Sequence, residues 1–147
     1  MTIAREPRRW ALAVAGIFQI LTAAAHTTAQ LRGAPDRGEA LAIDAMRSYR
    51  LPFGLAENPS LLDLFESLSY TMSITFAAMG VLVVTIAASA GAADKLLRRL
   101  AWVNVIWLTA FVALNAAHRL PPPALAGVLT LLAFLVALTF RARPAPS

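Results

Sequence analysis

One uninterrupted apolar stretch, residues 61–90, constrains the fold more than any other part of this chain. It carries Asp63 and Glu66 near its start and no further charged residue before Asp94. A helix needs about 20 apolar residues to cross the hydrocarbon core of a bilayer. The stretch therefore predicts a membrane-spanning helix with residues to spare.

The composition favours a membrane protein over a soluble domain. Of the 147 residues, 59% are hydrophobic and 14% are charged, whereas soluble domains average about 45–50% apolar and about 25% charged residues. The net charge of +5 comes from basic residues that flank apolar stretches, so it indicates membrane topology and not nucleic-acid binding. The chain has no cysteine, which excludes disulfides, thiolate metal sites, iron–sulfur clusters and covalently attached haem.

Three further apolar stretches accompany the first one. Together they predict an all-α polytopic protein, a bundle of four transmembrane helices in a single membrane domain, residues 1–147, with spans at about 10–30, 61–90, 100–118 and 124–140. The N-terminal stretch resembles a signal peptide. Its apolar part, residues 10–25, is longer than the roughly 7–15 residues of an ordinary signal-peptide core, so we expect it to be retained as an anchor.

The segment between the first two spans, residues 31–60, predicts an amphipathic cap on the bundle. Its residues from Gly38 to Tyr49 have helical periodicity, which indicates a short amphipathic helix. Ser60 is a favourable N-cap for the second span, and the negative charge of Asp63 is stabilising near the positive end of the helix dipole.

The two later connections carry different signals. Residues 94–99 predict a tight basic turn before the third span. Residues 121–123 are prolines, which predict a helix break because proline lacks the amide donor and clashes with the preceding turn.

Basic residues are unequally divided between the two predicted sides of the membrane. Eight fall on one side (Arg5, Arg8, Arg9, Lys95, Arg98, Arg99, Arg141 and Arg143) and five on the other (Arg32, Arg37, Arg47, Arg50 and Arg119). Because cytoplasmic loops carry the excess of Lys and Arg, both termini are predicted to be cytoplasmic, with residues 31–60 outside.

Polar and aromatic residues recur at helical spacing in three of the predicted spans, so each set lies along one helix face. The sets are Gln19, Thr22 and His26 in the first span, Glu66, Ser73 and the nearby Tyr70 in the second, and Asn104, Trp107, Phe111, Asn115 and His118 in the third. A charge inside a lipid-crossing helix costs about 2.5–3.5 kcal/mol, so Glu66 is expected to face protein or water. In the predicted topology His26, Glu66 and His118 share the outer half of the bundle, which predicts a cavity near Glu66.

Three functions use these same residues. The first is binding of a lipophilic small molecule, with Glu66, His26 and His118 as candidate acid–base residues and the rest of the three sets as ligand contacts. The second is a non-catalytic accessory subunit or scaffold that contacts a membrane-protein partner or a second copy. The third is a haem or metal-binding redox protein with His26, His118 and Glu66 as ligands, although their spacing matches no metal motif. Structural roles stay open, and no cofactor is identified.

The second half of the chain combines a polar entry to the second span, a basic turn, an aromatic third span and a proline break before a plain last span. These features lie in LLDLFESLSYTMSITFAAMGVLVV and KLLRRLAWVNVIWLTAFVALNAAHRLPPPALAGVLTLLAFLVAL. Over residues 60–140 the chain thus resembles a family of small, uncharacterised bacterial four-span inner-membrane proteins. The resemblance implies a topology and no activity. In architecture alone the chain is also similar to the four-span sterol-isomerase and sigma-2-receptor group, which places acids and histidines inside a small bundle.

Overall fold

The described residues of the chain form five helices. The computed structural model describes residues 7–34, 36–54, 58–89, 93–118 and 120–140. The helices are α1 (Pro7–Leu31), α2 (Arg37–Ser48), α3 (Leu61–Ala88), α4 (Asp94–Ala117) and α5 (Pro121–Thr139). The described residues contain no β-strand, and one isolated antiparallel bridge joins Arg50 to Ser60. The all-α prediction is confirmed.

Three of the helices, α1, α3 and α4, are long and apolar enough to cross a membrane. The apolar part of α5, Pro123–Thr139, is shorter. Membrane-spanning helices were the central prediction from the sequence, and these three confirm it by length and composition. The predicted basic residues in segments 1–6 and 141–147, together with Arg119, lie outside the described residues.

Two predicted boundaries were wrong. Helix α4 begins at Asp94, so residues 94–99 form its first turns and not a tight turn before it. These residues are mostly Lys, Leu and Arg, which favour helix. The prolines separate α4 from α5 as predicted, but they also begin α5 at Pro121. Proline fits the first helical turn because the amide it lacks would have no partner there.

The junction between α2 and α3 follows the predicted capping. Ser60 and Asp63 form a reciprocal capping box: the Ser60 hydroxyl accepts from the Asp63 amide at 3.0 Å, and the Asp63 carboxylate accepts from the Ser60 amide at 2.7 Å. Two backbone hydrogen bonds of 2.9 Å, from Leu51 to Pro59 and from Leu61 to Tyr49, tie the end of α2 to the start of α3. The amphipathic helix is therefore anchored at the end of the bundle where α3 begins.

Helix α1 is the common partner of the bundle, since it packs most extensively against α3 and also against α5, which in turn packs against α4. At the crossing of α1 and α3, Gly16 and Gly80 bring the two backbones together. A Cβ atom on Gly80 would lie 2.6 Å from the Gly16 carbonyl oxygen, and one on Gly16 would lie 2.8 Å from the Gly80 carbonyl oxygen. Small residues at helix crossings permit this close approach in bilayers.

Two arginines at the start of α1 hold the ends of the other long helices. We call the end of the bundle where α1 begins the proximal end, and the opposite end the distal end. The buried Arg8 guanidinium donates to the Asp94 carboxylate at the start of α4 and to the Phe140 carbonyl at the end of α5. Arg9 donates to the Ser89 carbonyl at 2.5 Å and to the Ala87 carbonyl at 3.4 Å, at the end of α3. Cations stabilise helix C-termini, where carbonyl groups lack amide partners.

Candidate functional site

The polar face of α1 sets the register of the bundle. The Gln19 amide donates to the Asn104 side-chain oxygen of α4 at 2.8 Å. About two turns after Gln19 on α1, His26 Nε2 lies 3.0 Å from the Ser69 hydroxyl of α3. The sequence-predicted stripe on α1 therefore does face the interior, and its two ends bond to two different helices.

A cavity of about 450 Å³ opens beside this stripe in the distal half of the bundle. All four long helices contribute to its wall. The lining residues are Phe18, Leu21, Thr22, Ala23, Ala25, His26 and Ala29 from α1, Met72, Ser73 and Phe76 from α3, Phe111 from α4, and Pro123, Ala126, Leu129 and Thr130 from α5. Its size lies within the range of about 300–1,000 Å³ that is typical of small-molecule sites.

An aromatic cluster closes the cavity toward α4. Phe76 packs edge-on against Trp107 and Phe111, with ring centroids 4.7 and 5.0 Å apart, and Trp107 and Phe111 are 5.8 Å apart. Such edge-to-face pairs contribute about 0.5–1.5 kcal/mol beyond their buried area. Because α3 and α4 have few close backbone contacts, the contacts between these rings account for much of the packing between the two helices.

Four polar side chains line the cavity, and three of them already have hydrogen-bond partners. The Thr22 hydroxyl donates to the Phe18 carbonyl at 2.8 Å, and the Thr130 hydroxyl donates to the Ala126 carbonyl at 2.9 Å. His26 is paired with the Ser69 hydroxyl. The fourth, Ser73, is buried, and its hydroxyl oxygen has no hydrogen-bond partner among the residues that the structure describes.

A second polar group lies deeper in the bundle and does not line the cavity. Asn104 is fully buried; it accepts from Gln19 and from the Trp107 indole at 3.3 Å, and it donates to the Leu100 carbonyl at 2.9 Å. Asn115 donates to the Phe111 carbonyl at 2.8 Å. Asn104 and Asn115 were predicted to contact a ligand. In the structure Asn104 bonds to α1 and within α4, and Asn115 bonds within α4, which agrees with the structural role that the sequence left open.

Glu66 does not reach the cavity. Its side chain is exposed, and no hydrogen bond or ion pair to it is present among the described residues. The nearby Tyr70 is 38% exposed and likewise outside the cavity. Helix α3 has 28 residues, or ~42 Å at ~1.5 Å per residue, so it exceeds the ~30 Å hydrocarbon core. Glu66, in its second turn, fits the projecting part of the helix, where a carboxylate can stay hydrated.

His118 also lies away from the cavity. It is the exposed C-cap of α4. Phe111 shares the cavity wall with His26, and His118 lies roughly 10 Å further along α4 at the usual helical rise. The predicted meeting of His26, Glu66 and His118 is therefore not seen, and no group of three His, Cys, Asp or Glu side chains within the described part of the chain could hold a metal ion.

Of the sequence-predicted site residues, the structure brings Thr22, His26, Ser73 and Phe111 to one cavity. The sequence missed the contribution of α5, whose apolar character predicted a plain wall. Thr130 was the available signal, because it is one of two polar residues in that helix and it is buried on the cavity side. Helical spacing had identified the right faces of α1 and α3 but could not indicate where neighbouring helices separate.

Comparison with protein-family models, with curated proteins and with solved structures finds no match to this chain. The functional argument therefore depends on the geometry of the cavity and on the residues that line it.

Proposed function

We propose that this chain is a four-span protein of a bacterial inner membrane that binds a lipophilic small molecule in the cavity among α1, α3, α4 and α5. The observation that carries the proposal is the cavity itself, which is ligand-sized and lined almost entirely by apolar side chains with a few polar groups. Binding sites for small molecules typically have this character. The family resemblance over residues 60–140 is part of the same proposal.

The fourth span is supported by the position of α5 beside α1. Pro123 and Ala29 line the cavity together at the distal end, and Phe140 accepts from Arg8 at the proximal end. Between Arg8 and Ala29, α1 rises by ~30 Å at the usual helical geometry, which matches the hydrocarbon thickness of a bilayer. Helix α5 runs alongside α1 over this distance, so we include it among the membrane-spanning helices.

The topology can be tested by cysteine labelling, because the natural chain has no cysteine. In the proposed orientation, Ala45 on α2 faces the extracytoplasmic side and Lys95 on α4 faces the cytoplasm; both are exposed. We expect a membrane-impermeant maleimide to label Ala45→Cys in intact spheroplasts and Lys95→Cys only after lysis. Labelling in the reverse pattern would overturn the orientation.

The polar groups of the cavity support binding more than acid–base chemistry. His26 is the one acid–base candidate in the wall, since Glu66 and His118 lie elsewhere. A proton transfer of the kind first considered needs an acid and a base within hydrogen-bond reach of one substrate. We therefore propose a binding role for the cavity, with His26 positioned by Ser69 as a polar contact.

Filling the cavity should remove the ligand. Ala126 lines the cavity from α5, whereas its neighbour Leu125 is 62% exposed and faces away from it. We expect native mass spectrometry of the gently purified protein to show a lipid-like adduct in wild type and in Leu125→Phe, and to show at least a tenfold lower adduct fraction in Ala126→Phe. An adduct that persists in Ala126→Phe would contradict cavity binding, and a stoichiometric protein mass without any adduct would favour the accessory-subunit function.

A further inference from the structure

The hydroxyl of Ser73 differs from those of the two threonines that flank it on α3. Thr71 and Thr75, which flank it on α3, each donate to the carbonyl four residues earlier at 2.8 Å. This internal bond is the usual way for a Ser or Thr hydroxyl to be satisfied inside a helix. Ser73 is 6% exposed, lines the cavity, and has no partner for its oxygen. A buried hydroxyl left without a partner is unfavourable, so this group is available for a hydrogen bond with a ligand.

The charge of the wall restricts what that ligand can be. None of the cavity-lining residues that the structure describes is Asp, Glu, Lys or Arg. A carboxylate or phosphate head group would lose its hydration there, and the one wall residue that can become a cation, His26, is already paired with the Ser69 hydroxyl. A neutral oxygen, such as that of an alcohol or a ketone, needs one hydrogen bond and no counter-charge.

The exposed part of the cavity wall belongs to α1 and α5, so we infer that the opening lies between these two helices. Its strongly exposed large lining residues are Phe18 and Leu21 on α1, at 41% and 57%, and Leu129 on α5, at 52%. The lining residues of α3 and α4 are buried or half-buried. Both edges of the opening are thus apolar, so in a bilayer it faces the acyl chains and not water.

The volume is too small for a whole membrane lipid. At roughly 30 Å³ per water-sized group, the 450 Å³ of the cavity correspond to about 15 non-hydrogen atoms. A longer molecule would have to leave part of its chain in the opening between α1 and α5. From these observations we propose that the cavity takes a neutral lipid with a single oxygen head group, which enters between α1 and α5 and hydrogen-bonds to Ser73. This inference rests on the proposed binding function and names its ligand class.

Trp107 provides a reporter for the test. It contacts Phe76 and Phe111, which line the cavity, whereas Trp10 and Trp102 are 54% and 47% exposed on the outer surface of the bundle. In a Trp10→Phe/Trp102→Phe background, the tryptophan fluorescence therefore comes from beside the cavity. The probes are dibromododecanol, dibromododecane and dibromododecanoate, all brominated at mid-chain, so that a bound molecule quenches Trp107.

We expect dibromododecanol to quench Trp107 saturably, and we expect Ser73→Ala to weaken its binding about fivefold, the effect of one neutral hydrogen bond. The same substitution should leave the affinity for dibromododecane unchanged, and dibromododecanoate should give no saturable quenching. The affinities of two variants are compared for the same probe, so the partitioning of that probe into detergent affects both equally and does not change their ratio. Ser67→Ala, on the exposed face of α3, is the matched control and should change no affinity.

Two results would overturn the inference, and they differ in what else they reject. If the alcohol and the alkane bind saturably but Ser73→Ala affects both equally or neither, the proposed binding function stands and the head-group assignment fails. If no probe quenches Trp107 saturably, both proposals fail. Because the Ser73 hydroxyl has no partner, Ser73→Ala should unfold at the same temperature as the background protein or higher, so an affinity loss would not reflect misfolding.

Discussion

Gly80→Leu is expected to abolish the packing of α1 against α3. Even the first carbon of the new side chain would lie 2.6 Å from the Gly16 carbonyl oxygen and 2.7 Å from Ile20 Cγ1. A carbonyl oxygen of a helix backbone cannot move aside as a side chain can, so the two helices must separate. Overpacking in a core typically costs about 1–3 kcal/mol, occasionally more. We expect Gly80→Ala to lie in that range and Gly80→Leu to exceed it, measured by SDS-induced unfolding in mixed micelles.

The control for this prediction is Ala78→Leu on the same helix. Ala78 is exposed on the face of α3 that turns away from α1, so the added carbons should meet lipid or detergent. We expect its free energy of unfolding to stay within about 0.5 kcal/mol of wild type. Equal unfolding midpoints for Gly80→Leu and Ala78→Leu would contradict the close backbone contact between Gly16 and Gly80.

Arg8→Gln is expected to lower the free energy of unfolding by about 2–3 kcal/mol. Removing one partner of a buried charge pair costs about 3–5 kcal/mol, and the 43% exposure of the Asp94 side chain reduces that cost. The Phe140 carbonyl also loses its donor. Arg8→Lys should be destabilising as well, since a single ammonium group does not reproduce the planar fork that serves two acceptors.

Arg8→Lys separates the structural role of this residue from its role in topology. The substitution keeps the positive charge that determines orientation, so labelling at residue 45 should not change while the unfolding midpoint falls. Lys95→Gln, exposed on the first turn of α4, is the comparison and should have little effect. If Arg8→Lys were as stable as wild type, Arg8 would act only as a topological charge.

The sequence predicted the parts of the fold that depend on local patterns. Hydrophobic length identified the helices, and the spacing of polar residues identified the interior faces of α1 and α3, including His26 and Ser73. The sequence also predicted Ser60 as the N-cap of α3, because a cap depends on residues within one helical turn. Each of these signals lies within one helix or next to it.

What the sequence did not predict depends on contacts between distant parts of the chain. The cavity lies among α1, α3, α4 and α5, and no local pattern records how these distant segments pack together. Glu66 was expected inside because a carboxylate in a spanning helix must avoid lipid, but α3 is long enough for Glu66 to avoid lipid by projecting beyond it. Arg8 was counted as a cytoplasmic charge, and its partners, Asp94 and Phe140, lie 86 and 132 positions away.

The two arginines of α1 also imply an order of assembly during synthesis. Arg9 finds its acceptors at Ala87 and Ser89; Arg8 finds its first partner, Asp94, shortly afterwards, and its last at Phe140. Helix α1 is therefore made well before α5, and the Arg8 guanidinium lacks one of its two acceptors until Phe140 has been synthesised. A chain interrupted before Phe140 would leave that side of the guanidinium without its acceptor, and the end of α1 would be held to α4 alone.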